Sequence, residues 1–283
     1  MNTEALPQYE VYAIRYATVA RKRAENFMVY DPHEGPMPMD YFVWVIRDAN
    51  RDTNQDTNRD ADRVIVVDTG FNEAAAKERK RHFLRCPIAA LSGLGITPEQ
   101  VSDVILTHLH YDHAGNIKLL PNALMHLQEA ELQYATGRYM QYDLLRHAYA
   151  VDDVVDVVRG VYEKRVKFYS GDAEFAPGIQ LIHVGGHTKG LQAVRVHTAR
   201  GWVVLASDAS HFYDNIHNES PFPIVLHVGD MLDGYVKLQQ LADSPDHLIP
   251  GHDPLVLTSY PTFDDAGDEI VSLHLPPLSA SMA

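Results

Sequence analysis

His108-Leu109-His110-Tyr111-Asp112-His113 places imidazoles and a carboxylate within one short string. On leaving a strand, positions i and i+2 share a face, so His108 and His110 can converge on one ion. Asp112 and His113 lie on the turn beyond and suit a second. Two ions need further ligands, and three loops offer them: His187 in Gly185-Gly186-His187-Thr188, Asp208 in Ala206-Ser207-Asp208-Ala209, and His252 in Pro250-Gly251-His252-Asp253. Glycines beside a ligand let the backbone approach closely. Ligand sets of His and Asp accept zinc, manganese, cobalt and iron; two divalent ions, zinc foremost, are expected. A water shared by two such ions becomes acidic near neutrality and would attack a carbonyl carbon as hydroxide, while the ions stabilise the oxyanion. Asp112, beside both ion and water, is the acid/base candidate for the departing alkoxide.

The elements that must hold these residues follow from the apolar pattern. Residues 9–18, 41–46 and 63–68 read as strands, and 72–91 as a helix capped by Asn72, which would include His82 and Cys86. Thr97-Pro98-Glu99 opens a short helix, and the apolar run 103–107 feeds straight into the histidine string. Strands follow at 123–127, 179–184, 191–196, 202–206 and 247–249. Helices are expected at 129–137, in two pieces over 139–164, and at 229–241. Each ligand loop comes after a strand, where α/β folds hold their ligands. No Pro/Gly/Ser-rich linker divides the 283 residues, so one domain spanning 1–283 is expected. Residues 47–62 form imperfect copies of a four-residue unit, such as Arg51-Asp52-Thr53-Asn54, with no apolar face; they read as a solvated hairpin insertion.

Composition narrows the function. The 46% hydrophobic content fills a core, and 24 basic against 38 acidic residues give a net charge of -14, which disfavours nucleic acid. A lone cysteine, Cys86, rules out an intramolecular disulfide and suits a reducing compartment. Residues 1–7 lack a basic region followed by an apolar one, and no long apolar run occurs, so a cytoplasmic protein without membrane attachment is expected. The other histidines have blander readings: His126, His183 and His197 as strand residues, His217, His227, His247 and His274 without a motif.

Thr107-His108-x-His110-x-Asp112-His113, His187, Asp208 and His252 resemble, in order and type, the pattern of the metallo-β-lactamase superfamily, and the resemblance spans residues 41–252. It implies an α/β fold, the αββα sandwich of two mixed sheets covered by helices, with two metals at one edge. It also implies that His108, His110 and His187 hold the first ion, Asp112, His113 and His252 the second, and Asp208 bridges them. Asp68 in Val67-Asp68-Thr69-Gly70 resembles the turn that supports the site. Zinc β-lactamases of the best-known type use Cys where this chain has Asp208. The segments around Asp112, Asp208 and His252 instead look most like N-acyl-homoserine lactonases, the quorum-quenching branch, and imply opening of a lactone ring. Two departures stand out: Gly185-Gly186-His187 replaces Pro-Gly-His, and His211 replaces a Tyr, so that His211 or Tyr213 is left to assist the oxyanion.

Substrate contacts are sought in the apolar, proline-rich loop with Phe27, Met28, Tyr30, His33 and Met39, and in residues 134–165, a candidate helical lid bearing Tyr139 and Tyr142. The same apolar surfaces would also suit a homodimer interface. Competing readings are a simple lactone or other cyclic ester, a glyoxalase-II-like thioester, a phosphodiester, a redox iron protein such as a sulfur dioxygenase, and a sensor without turnover. Thioesters of glutathione or phosphates would need a basic pocket, for which Arg138, Arg146 and Lys189 are the candidates.

Overall fold

The computed structural model describes residues 6–49, 63–263 and 269–278; most of the 47–62 repeat lies outside these. Among the described residues thirteen strands occur: β1 Tyr9–Val19, β2 Met39–Asp48, β3 Val64–Val67, β4 His82–Phe83, β5 Val101–Ile105, β6 Leu124–Gln128, β7 Val166–Tyr169, β8 Ala173–Ala176, β9 Ile179–His183, β10 Gln192–Thr198, β11 Gly201–Ser207, β12 Leu248–Pro250 and β13 Ile270–Ser272. The helices are α1 Glu73–Glu78, α2 Tyr111–Ala114, α3 Glu129–Ala135, α4 Asp143–Arg146, α5 Val151–Tyr162, α6 Tyr213–His217, α7 Val228–Leu241 and α8 Leu255–Ser259.

An eight-stranded sheet runs β13-β1-β2-β3-β5-β6-β7, with β4 beside β1, and a five-stranded sheet runs β12-β11-β10-β9-β8. Alternation along each strand decides the layers. Val11 and Ala13 of β1, with Trp44, Ile46, Ile65 and Val67, meet Leu181, Val194, Val196, Val203 and Leu205 of the second sheet in one buried cluster. Their neighbours Tyr12, Ile14, Val43, Val45 and Val104 point the other way, onto Val154 and Val157 of α5. The second sheet's outer face packs Ala193 and Val204 on Met231, Tyr235 and Leu238 of α7. Strands buried on both faces read as continuous apolar runs, which is why β2 and β3 stand out in the sequence. The four layers are helices, sheet, sheet, helices, the αββα arrangement of two mixed sheets.

Parallel pairing aligns the ends that matter. Val67 is level with Ile105 across β3 and β5, and Ser207 with Pro250 across β11 and β12, so the loops after these strands open on one edge of the sandwich.

The expected helix over 72–91 is short. Asn72 caps α1 by accepting from the Ala75 N–H, as expected, but the helix closes at Glu78 and Lys80 turns with φ of 55°. His82 then lies in β4, paired with Thr18, and Cys86 falls outside any helix. Tertiary pairing with β1 overrides local propensity there, and Pro87 would break a helix continued through it; a 3-10 turn over Ala89–Leu94 follows instead. Strands β7, β8 and β13 were not anticipated. Among the described residues, no helix is long and apolar enough to cross a membrane.

Candidate metal centre

The chain leaves β5 at Ile105 and is pinned at once. Asp68, at the end of β3 with φ of 61°, accepts from the Thr107 backbone N–H at 2.7 Å and from its hydroxyl at 2.7 Å. A non-glycine residue in the left-handed region is strained, and the strain persists because these bonds define it. The same carboxylate lies 2.7 Å from His113 Nδ1. His110 starts α2, which sets Tyr111, Asp112 and His113 on its first turn. On the opposite side, Gly185 and Gly186 take φ of 73° and 79° and bring His187 in. A Cβ on Gly186 would come within 2.6 Å of the Met231 nitrogen, which explains the second glycine. Ser207, with φ of 48°, delivers Asp208, and a Cβ on Gly251 would lie 2.7 Å from the Ser207 carbonyl oxygen.

Ligand atoms of His108, His110, His187 and Asp208 lie within 4.8 Å of one another; so do those of Asp112, His113 and His252, and those of Asp208, His211 and His252. Asp208 is shared through its two oxygens. Oδ1 faces His252 Nε2 at 3.0 Å and His113 Nε2 at 3.2 Å, whereas Oδ2 faces His187 Nε2 at 3.1 Å, His211 Nε2 at 3.1 Å and His108 Nε2 at 3.8 Å.

The proton positions are set from outside. His187 Nδ1 can only donate to the Ile224 carbonyl at 2.6 Å, and His252 Nδ1 only to the Asp40 carbonyl at 2.8 Å. With Asp68 taking His113 Nδ1–H, the one proton of each ring in its neutral form sits on Nδ1, which leaves Nε2 as an inward lone pair. His110 Nδ1 lies 3.0 Å from His187 Nε2, and His108 Nε2 and His113 Nε2 are buried without a hydrogen-bond partner. Convergent lone pairs around a carboxylate, each braced on its far side, are the donor set a divalent cation takes; the residues fit two ions.

Electrostatics agree. Burial pushes His108 and His110 well below the ordinary histidine value, and neighbouring imidazoles push the same way. Burial also opposes charge on Asp208, yet His211, His113, His252 and His187 together hold its carboxyl well below the usual range. At His113 and His252 burial again works against protonation, but the facing carboxylates, Asp208 first, outweigh it and raise both. His211 stays neutral, lowered to about 3 by burial despite Asp208. The cluster therefore draws positive charge toward Asp208.

Beyond the ligands, Glu131 of α3 was missed by sequence reasoning. Fully buried, it accepts from Leu109 N–H at 3.1 Å, Gly190 N–H at 2.9 Å and the Tyr149 hydroxyl at 2.9 Å. It ties the histidine string to the His187 loop, and the Tyr149 ring meets His110 edge-on at 4.6 Å. Glu-Ala-Glu in a helix carries no signal of this.

His211 lies flat between Phe222 and His252, its ring centroid 4.0 Å and 4.8 Å from theirs. Tyr213 is not brought to the cluster; it packs between the sheets and lines a separate cleft with Ile216 and His217. An apolar cleft of about 210 Å³ reaches His110 and His187, walled by Met28, Tyr134, Leu144, Leu145 and Leu226. Met39 lines the adjoining recess beside Asp112. Phe27 is buried, under the Arg23 guanidinium. His33 pairs with Asp31 at the surface. Tyr30 and Tyr142 are exposed, and Tyr139 reaches the cleft only through its ring contact with Tyr134. Of residues 134–165, α5 is packed into the core while Leu144, Leu145 and His147 overhang the cleft.

His126 is held within β6 by Tyr169 and Asp103, as a structural residue. His183 and His197 are also bonded to backbone carbonyls in their strands.

Residues 58–252 match the family model described as metallo-beta-lactamase superfamily. An N-acyl homoserine lactonase of Bacillus sp is 33% identical over 135 residues, 47% of this chain and 48% of that protein, so the chain spans about half the length of the curated relatives it matches. The fold matches a solved quorum-quenching N-acyl homoserine lactone lactonase with a TM-score of 0.70 at 21% identity, over 89% of this chain and 95% of the other. An N-acyl homoserine lactone hydrolase, solved with N-hexanoyl-L-homoserine bound at its catalytic metal centre, superimposes equally well, at TM-score 0.70 and 20% identity over 89% and 96%. With the family model covering well over half of its length, the chain belongs to the metallo-β-lactamase superfamily.

Proposed function

We propose that this chain is a dinuclear metal-dependent hydrolase that opens a lactone ring, with an N-acyl-homoserine lactone as the leading substrate. The observation that carries the reading is the division of Asp208, one oxygen toward His113 and His252, the other toward His187 and His108. His108, His110 and His187 would hold one ion, Asp112, His113 and His252 the other, and Asp208 both. Two ions, zinc foremost given the donors, would supply Lewis acidity and an acidified water.

The chain's own residues do the rest. Asp112, whose carboxylate reaches the recess, takes the proton of the attacking water on an oxygen and returns it to the ring oxygen as the C–O bond breaks. His211, neutral and fixed by stacking, is the side chain left to steady the oxyanion. Met28, Leu144, Leu145 and Leu226 shape an apolar arm that would exclude water and hold an acyl chain, the part of the substrate named for the lactonase relatives.

Proton release by the zinc-loaded protein on acyl-homoserine lactones, simple γ- and δ-lactones and a thioester tests this. Turnover of lactones that is lost on chelation is expected, with Asp112→Asn losing at least 100-fold in kcat while both metals stay bound. No lactone turnover with both metals bound refutes the reading.

A further inference from the structure

We infer that Arg21 and Arg81 form an oxyanion subsite beside the metal centre, which narrows the substrate, within the hydrolase reading, to a lactone or related ester that carries a carboxylate or phosphate near its reacting carbonyl, in place of the uncharged acyl-homoserine lactone. The inference rests on the hydrolase reading for what lies at the centre, and on the two guanidinium groups for the rest.

Both arginines line the recess of about 50 Å³ that also exposes Asp112, His110, His187 and Asp208. Both are half-buried. Each is fixed by neutral acceptors only. Arg21 donates from Nε to Asn26 Oδ1 at 2.6 Å and from Nη2 to the Glu25 carbonyl at 2.8 Å, with its guanidinium over the Phe222 ring at 4.9 Å. Arg81 donates from Nε to the Tyr111 hydroxyl at 3.1 Å and from Nη1 to the Arg79 carbonyl at 2.9 Å. Arg21 Nη1 and Arg81 Nη2 have no hydrogen-bond partner, and neither arginine has an ion pair, among the described residues.

Arg79, Arg195 and Arg200 also rest on neutral acceptors, but Arg21 and Arg81 differ from them in lining the recess of the metal centre. Arg15, Arg23, Arg47 and Arg63 all take carboxylates: Asp40 and Glu269, Asp31 and Asp214, Glu10, and Asp103. Two cations in one recess repel, and Asp112 and Asp208, which line it with them, are the carboxylates that the metal ions would engage. Burial, with a smaller push from Arg81, lowers Arg21 below its ordinary value against the pull of Glu25, whereas at Arg81 burial is outweighed by Tyr41, Tyr111 and Asp112, which leave it raised. An oxyanion taken by the spare N–H groups would relieve the repulsion between the two guanidinium groups and gain charge-assisted hydrogen bonds.

The placement is directional. His110, His187 and Ile224 border both this recess and the apolar cleft, so the metal centre stands between a cationic wall and an apolar wall. A substrate that fits has an apolar group on one side of the scissile carbonyl and an anionic group on the other.

Calorimetric titration of the zinc-loaded full chain with butyrate, glutarate and 4-phosphonobutyrate tests the subsite without turnover. One carboxylate of each can take the centre, and only the last two offer a second anion to the arginines. Glutarate or phosphonobutyrate is expected to bind at least tenfold tighter than butyrate, the better of the two naming the anion. That advantage should vanish in Arg21→Gln and Arg81→Gln and return in part in Arg21→Lys and Arg81→Lys, with zinc content unchanged. Equal binding of the three by the native chain, or an advantage that survives both Gln variants, overturns the inference, and lactone turnover would still uphold the hydrolase reading. An advantage for the dianions in a chain that turns over no lactone would uphold the subsite and sink that reading.

Discussion

Gly190 passes so close to Glu131 that a Cβ on it would stand 2.3 Å from the Glu131 backbone nitrogen, and its own N–H donates to the Glu131 carboxylate at 2.9 Å. The His187 loop and the His108–His113 string are thus both fastened to one buried side chain on α3, in addition to the 3.0 Å contact between His110 and His187. The spacing of two ligands, His110 and His187, is set by a residue that is neither.

Glu131→Ala should therefore do two separable things. It leaves Leu109 N–H, Gly190 N–H and the Tyr149 hydroxyl buried without an acceptor, a loss on the order of 3 kcal/mol or more at about 1–3 kcal/mol each. It also frees the loops, lowering metal affinity by about 10–100-fold. Urea unfolding of the metal-free protein reads the first, and competition for zinc with a chelator of known affinity reads the second. Glu131→Gln, which keeps one acceptor oxygen, should fall between; metal affinity equal to the native chain in both variants would deny the positioning role.

Asp68→Asn tests the opposite brace. The amide cannot accept from Thr107 and His113 together as the carboxylate does, so His113 loses its fixed tautomer while the fold keeps its bonds elsewhere. Metal affinity at the Asp112, His113 and His252 end should fall about 10–100-fold, with the His108, His110 and His187 end little changed. Cobalt titration followed by visible absorption would show one tight and one weak equivalent instead of two tight ones.

How much of this was legible in the sequence depends on the distance between residues. His108 to His113 sit in one string and His187, Asp208 and His252 each sit in a glycine-flanked or strand-ending turn, so type and spacing pointed to them. Asp68 could be read from its Asp-Thr-Gly turn. Glu131, Arg21 and Arg81 could not, because nothing local distinguishes a helix Glu or a loop Arg; only the packing of α3 under two loops, and of two distant segments around one recess, gives them a role. The fold was legible where strands are buried on both faces. It was misread at His82, where helix-forming residues continue past Glu78 but pairing with Thr18 wins. It was silent at β13, a three-residue strand whose signal is its partner β1.

Acid stability should depend on Asp103, away from the metal centre. Burial alone would raise its carboxyl, but bonds from His126, Arg63 and Ser102 outweigh that and hold it below the ordinary 3.8. A carboxyl depressed on folding contributes stability that is complete above its unfolded value and is lost as pH falls below it toward the folded one. Urea midpoints of the native chain should therefore drop steeply below about pH 4. In Asp103→Asn this part of the drop should be absent, on top of a lower midpoint at neutral pH. Parallel curves for the two proteins below pH 4 would exclude Asp103 as a source of acid lability.

His211 and Tyr213 give the sharpest contrast between neighbours. His211 Nε2 lies 3.1 Å from Asp208 Oδ2 and its Nδ1 is buried without a partner, whereas the buried Tyr213 hydroxyl faces Tyr260, away from the cluster. Removing the hydroxyl removes its desolvation cost along with its contact to Tyr260, so Tyr213→Phe should change stability by no more than about 1 kcal/mol in either direction. Its turnover should match the native chain. His211→Phe fills the same stacked slot between Phe222 and His252 but offers no N–H, and should lower kcat by about 10–1000-fold with KM little changed, the mark of an interaction made in the transition state. Lactone kinetics on the two variants decide the matter: loss of turnover in Tyr213→Phe with native activity in His211→Phe would move the oxyanion contact to the tyrosine and require α6 to shift on substrate binding.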